Sequence, residues 1–291
     1  MESSPTDQAE AIAEQTLIAI QGEAGSFHEI AARQWFGDEV GLVCCDSFPE
    51  LFKNLRNRNA EFAVMAIENS VAGTILKNYK LLRESDFSII GEVYLRISHM
   101  LMALPGTTLE ELTEIHSHPM AISQCHRYLD QLSHVRLLEC DDTAASARRV
   151  AEQQLTGVAA IASSLAATQY GLEILQPEIE DDPHNYTRFF ILAKKPSAPS
   201  QPIDKASLCF SLGHEVGSLS QILVVLGAHG MNLSKIQSSP VVGKAWEYFF
   251  HLDLEFGDYS QYQRALESIK PLVSELRVIG EYPKVNKTPE A

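Results

Sequence analysis

Short apolar runs, polar small-residue turns and stretches of helical spacing alternate along the first two thirds of the chain. Leu17-Ile18-Ala19-Ile20 predicts a buried strand that breaks at Gly22-Glu23-Ala24-Gly25. Ser26 and Glu29 then form a capping box for a helix carrying Phe27, Ile30, Ala31 and Trp35. The same grammar repeats. Leu42-Val43-Cys44-Cys45 predicts a strand, Ser47 and Glu50 a second capping box, and Phe48, Leu51, Phe52 and Leu55 one helix face. Residues 62–67 predict a strand that stops at Glu68-Asn69-Ser70, with a helix marked by Ile75, Tyr79 and Leu82 behind it. Residues 88–94 and 97–104 predict more strand.

A second series begins with a capping box at Thr108 and Glu111, a strand at Glu114-Ile115-His116, and a helix opened by Pro119 and running through Ile122, Cys125 and Leu129. Residues 135–140 and 158–162 predict strands, each followed by a helix. Strand after strand therefore ends in a polar turn at a helix start: Gly25-Ser26, Asn69-Ser70, Ser117-His118, Asp142-Thr143 and Ser163-Ser164. In an open α/β sheet such turns gather at the carboxyl edge, where helix N-termini favour anions. The pattern predicts two lobes facing across a cleft, lobe one from 16–104 and 185–194 and lobe two from 105–184. The returning segment Asn185-Tyr186-Thr187-Arg188-Phe189, with Phe190-Ile191-Leu192-Ala193 behind it, ties them together.

Residues 195–204, with Pro196, Pro199 and Pro202, read as a linker. The order strand-helix-strand-strand-helix-strand over 205–284, with a turn at Gly243, is that of a ferredoxin-like βαββαβ module. Residues 1–15 read as a disordered tail and 285–291 as a short C-terminal tail.

A chain of 291 residues with 45% hydrophobic and 21% charged residues is an ordinary globular protein of about two domains. A formal net charge of −15 with no basic stripe excludes nucleic acid as a partner, and an anionic ligand must be held by local groups. Five cysteines without a Cys-x-x-Cys spacing predict neither a disulfide framework nor a thiolate metal site, which fits a reducing cytoplasm. The N-terminal residues lack the features of a signal or transit peptide, and no apolar run is long enough to cross a bilayer.

Thr187 beside Arg188 offers a hydroxyl donor and a guanidinium, the pair needed to assist a leaving group and to hold a carboxylate. A strand-edge Arg188 paired with Glu180, Asp181 or Asp182 is the structural alternative. Gly22 and Gly25 fit neither a dinucleotide nor a phosphate-loop motif, and read as a turn whose N–H groups approach an anion. His116 and His118 lack further ligands for a metal centre. Cys125 and His126 are neighbours on a helix and do not face each other, and no Gly-x-Ser-x-Gly elbow is present.

Five motifs in order give a resemblance to monofunctional prephenate dehydratases over 17–282. They are Gly22-Glu23-Ala24-Gly25-Ser26, Ile67-Glu68-Asn69-Ser70 with Gly73, Ser117-His118-Pro119 with Gln124-Cys125, Asp142-Thr143-Ala144, and Asn185-Tyr186-Thr187-Arg188-Phe189. The tail resembles the small-molecule-binding ACT module at Gly217-Ser218-Leu219 and at 232–240. The resemblance implies a fold like type II periplasmic binding proteins, conversion of prephenate to phenylpyruvate, water and carbon dioxide, no cofactor or metal, and no chorismate mutase domain at the front. It implies catalytic roles for Thr187, Arg188, Asn69 and Gln124, with Ser70, Ser117, His118, Thr143, Ala144 and Phe189 lining the substrate cleft; Met120 stands where the family more often has glutamine. Arogenate dehydratase and a catalytically silent anion-binding protein with a sensor module are the alternatives. For the tail it implies phenylalanine held by Gly217, Ser218, Leu219, Asn232, Leu233, Gln237 and Ser238, where Gln237-Ser238-Ser239-Pro240 replaces the usual Glu-Ser-Arg-Pro. A homodimer or homotetramer is expected, joined through tail edge strands such as Tyr248-Phe249-Phe250.

Overall fold

Strand β1 (Leu17–Gln21) is followed by α1 (Phe27–Phe36), β2 (Gly41–Cys45), α2 (Phe48–Arg56), β3 (Phe62–Asn69), the two-residue strand β4 (Gly73–Thr74), α3 (Leu76–Arg83) and β5 (Ser88–Arg96). β1 lies between β2 and β3 and runs parallel to both, as strand-helix-strand crossovers require. Ser26 and Ser47 accept from the N–H groups of Glu29 and Glu50 and so set the starts of α1 and α2. Ile18, Ala19, Ile20, Val64, Met65 and Ile67 are all buried, because helices and loops cover both faces of these strands.

The computed structural model describes residues 16–194, 202–213, 215–241 and 247–285. Its second lobe is built from β6 (Met100–Ala103), β7 (Glu114–Ser117), α4 (Pro119–Gln124), α5 (His126–Leu129), β8 (Arg136–Glu139), α6 (Thr143–Glu152), β9 (Val158–Ala162), α7 (Ser164–Tyr170) and β10 (Glu173–Gln176). The strands form a sheet of order β10-β6-β9-β7-β8. The chain returns to the first lobe as β11 (Tyr186–Ala193), antiparallel between β3 and β5.

Two expectations are corrected here. The boundary expected near residue 104 lies at 97–99, because β6 pairs with β9 and β10 of the second lobe. The two crossing segments bond to each other there, Ile97 N–H to Asn185 O at 2.7 Å and Ile179 N–H to His99 O at 2.9 Å. The helix expected to continue to Leu129 breaks at Cys125, where the Gln124 carbonyl accepts the N–H of Asp181 at 2.7 Å. The returning crossover thus interrupts the helical ladder.

The last third of the chain forms β12 (Lys205–Leu212), α8 (Ser218–Ala228), β13 (Asn232–Pro240), β14 (Tyr248–Glu255), α9 (Tyr259–Ile269) and β15 (Glu275–Tyr282). Its strands are antiparallel in the order β13-β14-β12-β15. Ile222, Leu226, Tyr262, Ala265 and Ile269 of the helices pack with Phe210, Leu252 and Leu254 of the strands. β14 is interior, so the expected edge at Tyr248-Phe249-Phe250 is replaced by β13. β15 joins the first lobe through one bridge, Gly280 to Ile89. A Cβ on Gly280 would lie 2.4 Å from the Ile89 carbonyl oxygen, so glycine permits the junction. The expected tails at 1–15 and 286–291, the turn at Gly243 and 195–201 of the linker fall outside the described residues.

The junction is also held by charge. Arg188 of β11 donates through Nε to Glu92 at 2.7 Å, through Nη1 to Asp253 at 2.5 Å and through Nη2 to the Tyr282 hydroxyl at 3.2 Å. Lys205 Nζ lies 2.6 Å from the other Glu92 oxygen, and Ser207 donates to Asp253 at 2.6 Å. Arg188 is 4% exposed and Glu92 0%. Two cations and two carboxylates are buried together across the boundary between first lobe and tail. Such a cluster gains little over apolar packing when complete, but losing one partner leaves an unpaired buried charge. Arg188→Met is expected to cost about 3–5 kcal/mol of unfolding free energy, measured by urea denaturation. The double variant Arg188→Met/Asp253→Met is expected to recover part of that loss.

Candidate active site

Successive side chains of a strand point to opposite faces. On β11, Thr187 and Phe189 face the cleft between the lobes, and Asn185, two residues earlier, shares their side. Arg188 therefore points away, into the buried ion cluster, and the expected carboxylate clamp at this residue is corrected: its partners are Glu92 and Asp253. They are also different acids from Glu180, Asp181 and Asp182.

Asn69, at the end of β3, lies opposite Thr187 in the ladder. Its Oδ1 accepts from the N–H groups of Val71 and Ala72 at 3.0 and 2.7 Å, which fixes the orientation of the amide. Its Nδ2 consequently donates to Asn185 Oδ1 at 2.7 Å and to Thr187 Oγ1 at 2.9 Å. Asn185 Nδ2 donates in turn to Gln124 Oε1 at 2.9 Å, and His99 Nε2 lies 3.0 Å from the same oxygen. Because Gln124 Oε1 can only accept, His99 carries its proton on Nε2. The Thr187 oxygen already accepts from Asn69, so its own hydrogen is left to donate.

Asn69, His99, Gln124 and Thr187 border a cavity of about 610 Å³ between the lobes, lined among others by Phe27, His28, Thr74, Ile75, Lys77, His118, Met120, Thr143 and Phe189. The start of α3 faces it, and no side chain caps that helix. First-turn N–H groups there and the Lys77 side chain can receive a carboxylate. His28 Nε2 accepts the N–H of Ala66 at 3.3 Å, and the ring lies edge-on to Phe189 with centroids 5.0 Å apart. Burial lowers its pKa to about 3 and pushes His99 down as well, so both imidazoles are neutral near pH 7. Among the described residues no group of three or more His, Cys, Asp or Glu side chains is placed to hold a metal.

The glycine turn after β1 closes the cleft. Gly25 has φ +86° and packs so closely on α7 that a Cβ would lie 2.8 Å from the Ala166 Cα. Its N–H donates to Glu29 at 2.6 Å, so the anion expected near this turn is the chain's own carboxylate. Ser163 donates to the Gly25 carbonyl at 2.5 Å, Tyr170 to the Ala24 carbonyl at 2.6 Å, and Arg148 pairs with Glu23 at 2.6 Å. All three donors belong to the second lobe.

Asn69, Gln124, Thr187, His118, Thr143 and Phe189 are thus brought to one cavity. Three other expected lining residues are not. Ser117 is fully buried and donates to the Ile161 carbonyl. Ala144, in the first turn of α6, is buried in the apolar core of the second lobe. Ser70 lies outside the cavity, where it donates to the His184 carbonyl and accepts the N–H of Tyr186. In the tail, Gly217 has φ +86° and precedes α8 without a side-chain cap, and Ser218 donates to the Gly213 carbonyl. Leu219 and Leu233 turn their side chains to the tail core, so only their backbones are free for a ligand. Asn232, Gln237 and Ser238 lie on the edge strand β13.

A family model described as prephenate dehydratase matches residues 18–197. The chain belongs to the prephenate dehydratase family. It is 38% identical to arogenate dehydratase 2 of Petunia hybrida, over 91% of this chain and 71% of that protein. It is 32% identical to a bifunctional chorismate mutase/prephenate dehydratase of Enterobacter agglomerans, over 94% of this chain and 72% of that protein. The solved prephenate dehydratase of Arthrobacter aurescens, in complex with L-Phe, superposes with a TM-score of 0.84 at 28% identity, covering 95% of this chain and 92% of that one. The family's enzymes are carbon–oxygen lyases, acting in aromatic amino acid biosynthesis.

Sequence reasoning missed His99 and His28 as parts of this dehydratase cavity, and Asn185 as the buried amide that links Asn69 to Gln124. Asn185 carried a usable signal, since it stands two residues before Thr187. His99 and His28 carried none beyond residue type.

Because burial holds the folded pKa of His28 below the ordinary histidine value of 6.5, the unfolded chain binds more protons between pH 6.5 and about 3. Its contribution to stability is complete above pH 6.5 and is lost as the pH falls toward 3. Urea unfolding as a function of pH is expected to have a slope over this interval that His28→Asn reduces by about one proton.

Proposed function

We propose that this dehydratase acts on prephenate, with Thr187 assisting departure of the ring hydroxyl. One observation carries the assignment: the Thr187 oxygen accepts from Asn69, which leaves the hydroxyl hydrogen free for a group in the cavity. In the reaction the ring carbon–carboxylate bond breaks and carbon dioxide leaves. The electron pair enters the ring as the carbon–oxygen bond breaks, and the departing hydroxyl takes a proton and leaves as water. Aromatisation drives the step, so the protein needs only to orient the ring, polarise the leaving group and leave the ring carboxylate poorly solvated.

A neutral threonine is a weak acid. Thr187 therefore polarises the hydroxyl and relays a proton from water in the cleft. Asn69, Asn185 and Gln124 hold it by their linked amides. The start of α3 and Lys77 receive the side-chain carboxylate, and Phe27, Met120 and Phe189 supply an apolar surface for the ring. Arogenate is the second reading, favoured by the Petunia relative and by Asp142, a carboxylate in the cavity lining that suits an ammonium group. Purified protein is offered each substrate; phenylpyruvate formed from prephenate is read by its absorbance in alkali, and phenylalanine formed from arogenate, which keeps its amino group, by amino acid analysis. Turnover of arogenate alone would overturn the prephenate assignment. Thr187→Val is expected to lower kcat by about 10² to 10⁴, the worth of general acid assistance, with an unchanged melting temperature; Thr187→Ser is expected to lose less.

The tail is read as an ACT module that binds phenylalanine and feeds back on the dehydratase lobes, in a cytoplasmic homo-oligomer joined along β13. The Arthrobacter complex with L-Phe supports this reading, as do the order β13-β14-β12-β15 and the uncapped start of α8. Ser239 and Gln237 replace a family guanidinium and acid together, which keeps the pair neutral. Titration calorimetry of the full chain with phenylalanine is expected to register binding, and steady-state assays to register inhibition. Absence of both at millimolar ligand would remove the regulatory role.

A further inference from the structure

The tail touches the cavity wall at one charged residue. Lys235 of β13 places Nζ 2.6 Å from Glu68 Oε1 and donates to Thr74 Oγ1 at 2.7 Å. Glu68 and Thr74 are cross-strand partners in the β3–β4 hairpin, and the next pair is Asn69 with Gly73. One ammonium thus clamps the rung beside the amide that orients Thr187. The Lys235 side chain is 10% exposed and that of Glu68 34%, so the ammonium is largely buried while the carboxylate is partly open to solvent.

The β3 end of this hairpin is tied to the returning segment, where Ser70 bonds to the His184 carbonyl and to the backbone of Tyr186, but the β4 arm has less to hold it. β4 is two residues long, residues 70–72 between the strands are exposed, and Asn69 braces the turn from within. Short two-stranded ribbons are marginal by themselves. Yet Asn69, Thr74 and the residues that follow, Ile75 to Lys77, all line the cavity. Farther along α3 the tail supports the same segment. His251 packs on Tyr79 with centroids 4.7 Å apart, Arg83 lies 3.8 Å over the Phe249 ring, and Arg277 donates to the Arg83 carbonyl at 2.5 Å.

We infer that Lys235 is a positioning residue for the dehydratase site: by gripping Glu68 and Thr74 it fixes the wall formed by β4 and the start of α3, and with it Asn69. It touches no reacting atom. The inference rests on placing substrate in this cavity. A rise in KM, more than a fall in kcat, is its signature, because the wall it steadies is the one proposed to receive the substrate carboxylate.

Steady-state kinetics on the full-length protein test it. Lys235→Met is expected to raise KM by about tenfold, the change in an equilibrium constant that corresponds to about 1.4 kcal/mol, with kcat reduced less than KM is raised. Lys235→Arg, which keeps the charge, is expected to restore most of the affinity. In a Thr74→Val background, Lys235→Met is expected to add little, since both act through one contact. Glu68→Gln, outside the tail, is expected to shift KM in the same direction and serves if Lys235→Met does not fold. Unchanged KM in the folded variants, or losses from Lys235→Met and Thr74→Val that multiply, would overturn the inference. Wild-type turnover of prephenate and arogenate, measured alongside, separates this failure from a wrong substrate: if only arogenate is turned over, the same series is run on arogenate.

Discussion

A strand cannot send two consecutive side chains to the same side, and β11 places that constraint at the centre of the molecule. Thr187 and Phe189 reach the cavity, while Arg188 and Phe190 reach the opposite face, where the guanidinium carbon lies 4.6 Å over the Phe190 ring. The site and the anchor for the tail are therefore successive residues of one strand. The buried cluster around Arg188 holds β11 against β5, β12 and β14 through Glu92, Lys205 and Asp253. A shift of β11 along its neighbours by one residue would exchange the two faces and bury Thr187 among charges. The cost of disrupting that cluster thus also protects the register that presents the hydroxyl.

Across the cleft the constraint is one of close approach. The turn at 22–25 approaches α7 closely with its backbone, its carbonyls accept from Ser163 and Tyr170, and its Glu23 side chain pairs with Arg148 of α6. This brings the second lobe close enough for Gln124 to join the amide chain from Asn69 and Asn185. Around Thr187 the cavity gains its polar order from amides and neutral imidazoles, with the charged Lys77 and Asp142 elsewhere in its lining. That suits a substrate whose ring carboxylate must be lost: a strong cation beside it would stabilise the ground state more than the transition state.

The strand-helix alternation of both lobes was legible because covered strands and capped helices leave plain local marks, as at Leu17-Ile18-Ala19-Ile20 and Ser26. The expected βαββαβ order of the tail is also the order of its elements in the structure. The lobe boundary was not legible, because β5 and β6 form a nearly continuous apolar stretch and only pairing across the fold assigns them to different sheets. Within the site, Thr187 and Asn69 stood out as motif residues, but the direction of Arg188 was misjudged. The period of the strand already forbade Thr187 and Arg188 from facing one cavity, and that reading was open from the sequence. Its partners were not, since Glu92 and Asp253 lie 96 and 65 residues away.

Position along the tail sheet decides what the tail can influence. β15 meets β5 and supports the lobe far from the cleft, whereas β13 lies at the other end of the same four strands and reaches the hairpin at Glu68 and Thr74. Gln237 and Ser238 follow Lys235 on that strand by two and three residues, so a ligand held there and the clamp on the hairpin share one short piece of backbone. A ligand alters the site only by as much as its affinity differs between arrangements of the hairpin. The two-residue arm β4 is gripped by Lys235, so arrangements of the hairpin that differ in that contact would differ at the cavity wall. Binding free energies are reciprocal. Substrate bound against Asn69 and Thr74 and an effector bound on β13 would therefore act on each other to the same extent, through the Lys235 contact, its neighbours along α3, and the Arg188–Asp253 pair that joins the tail to β11.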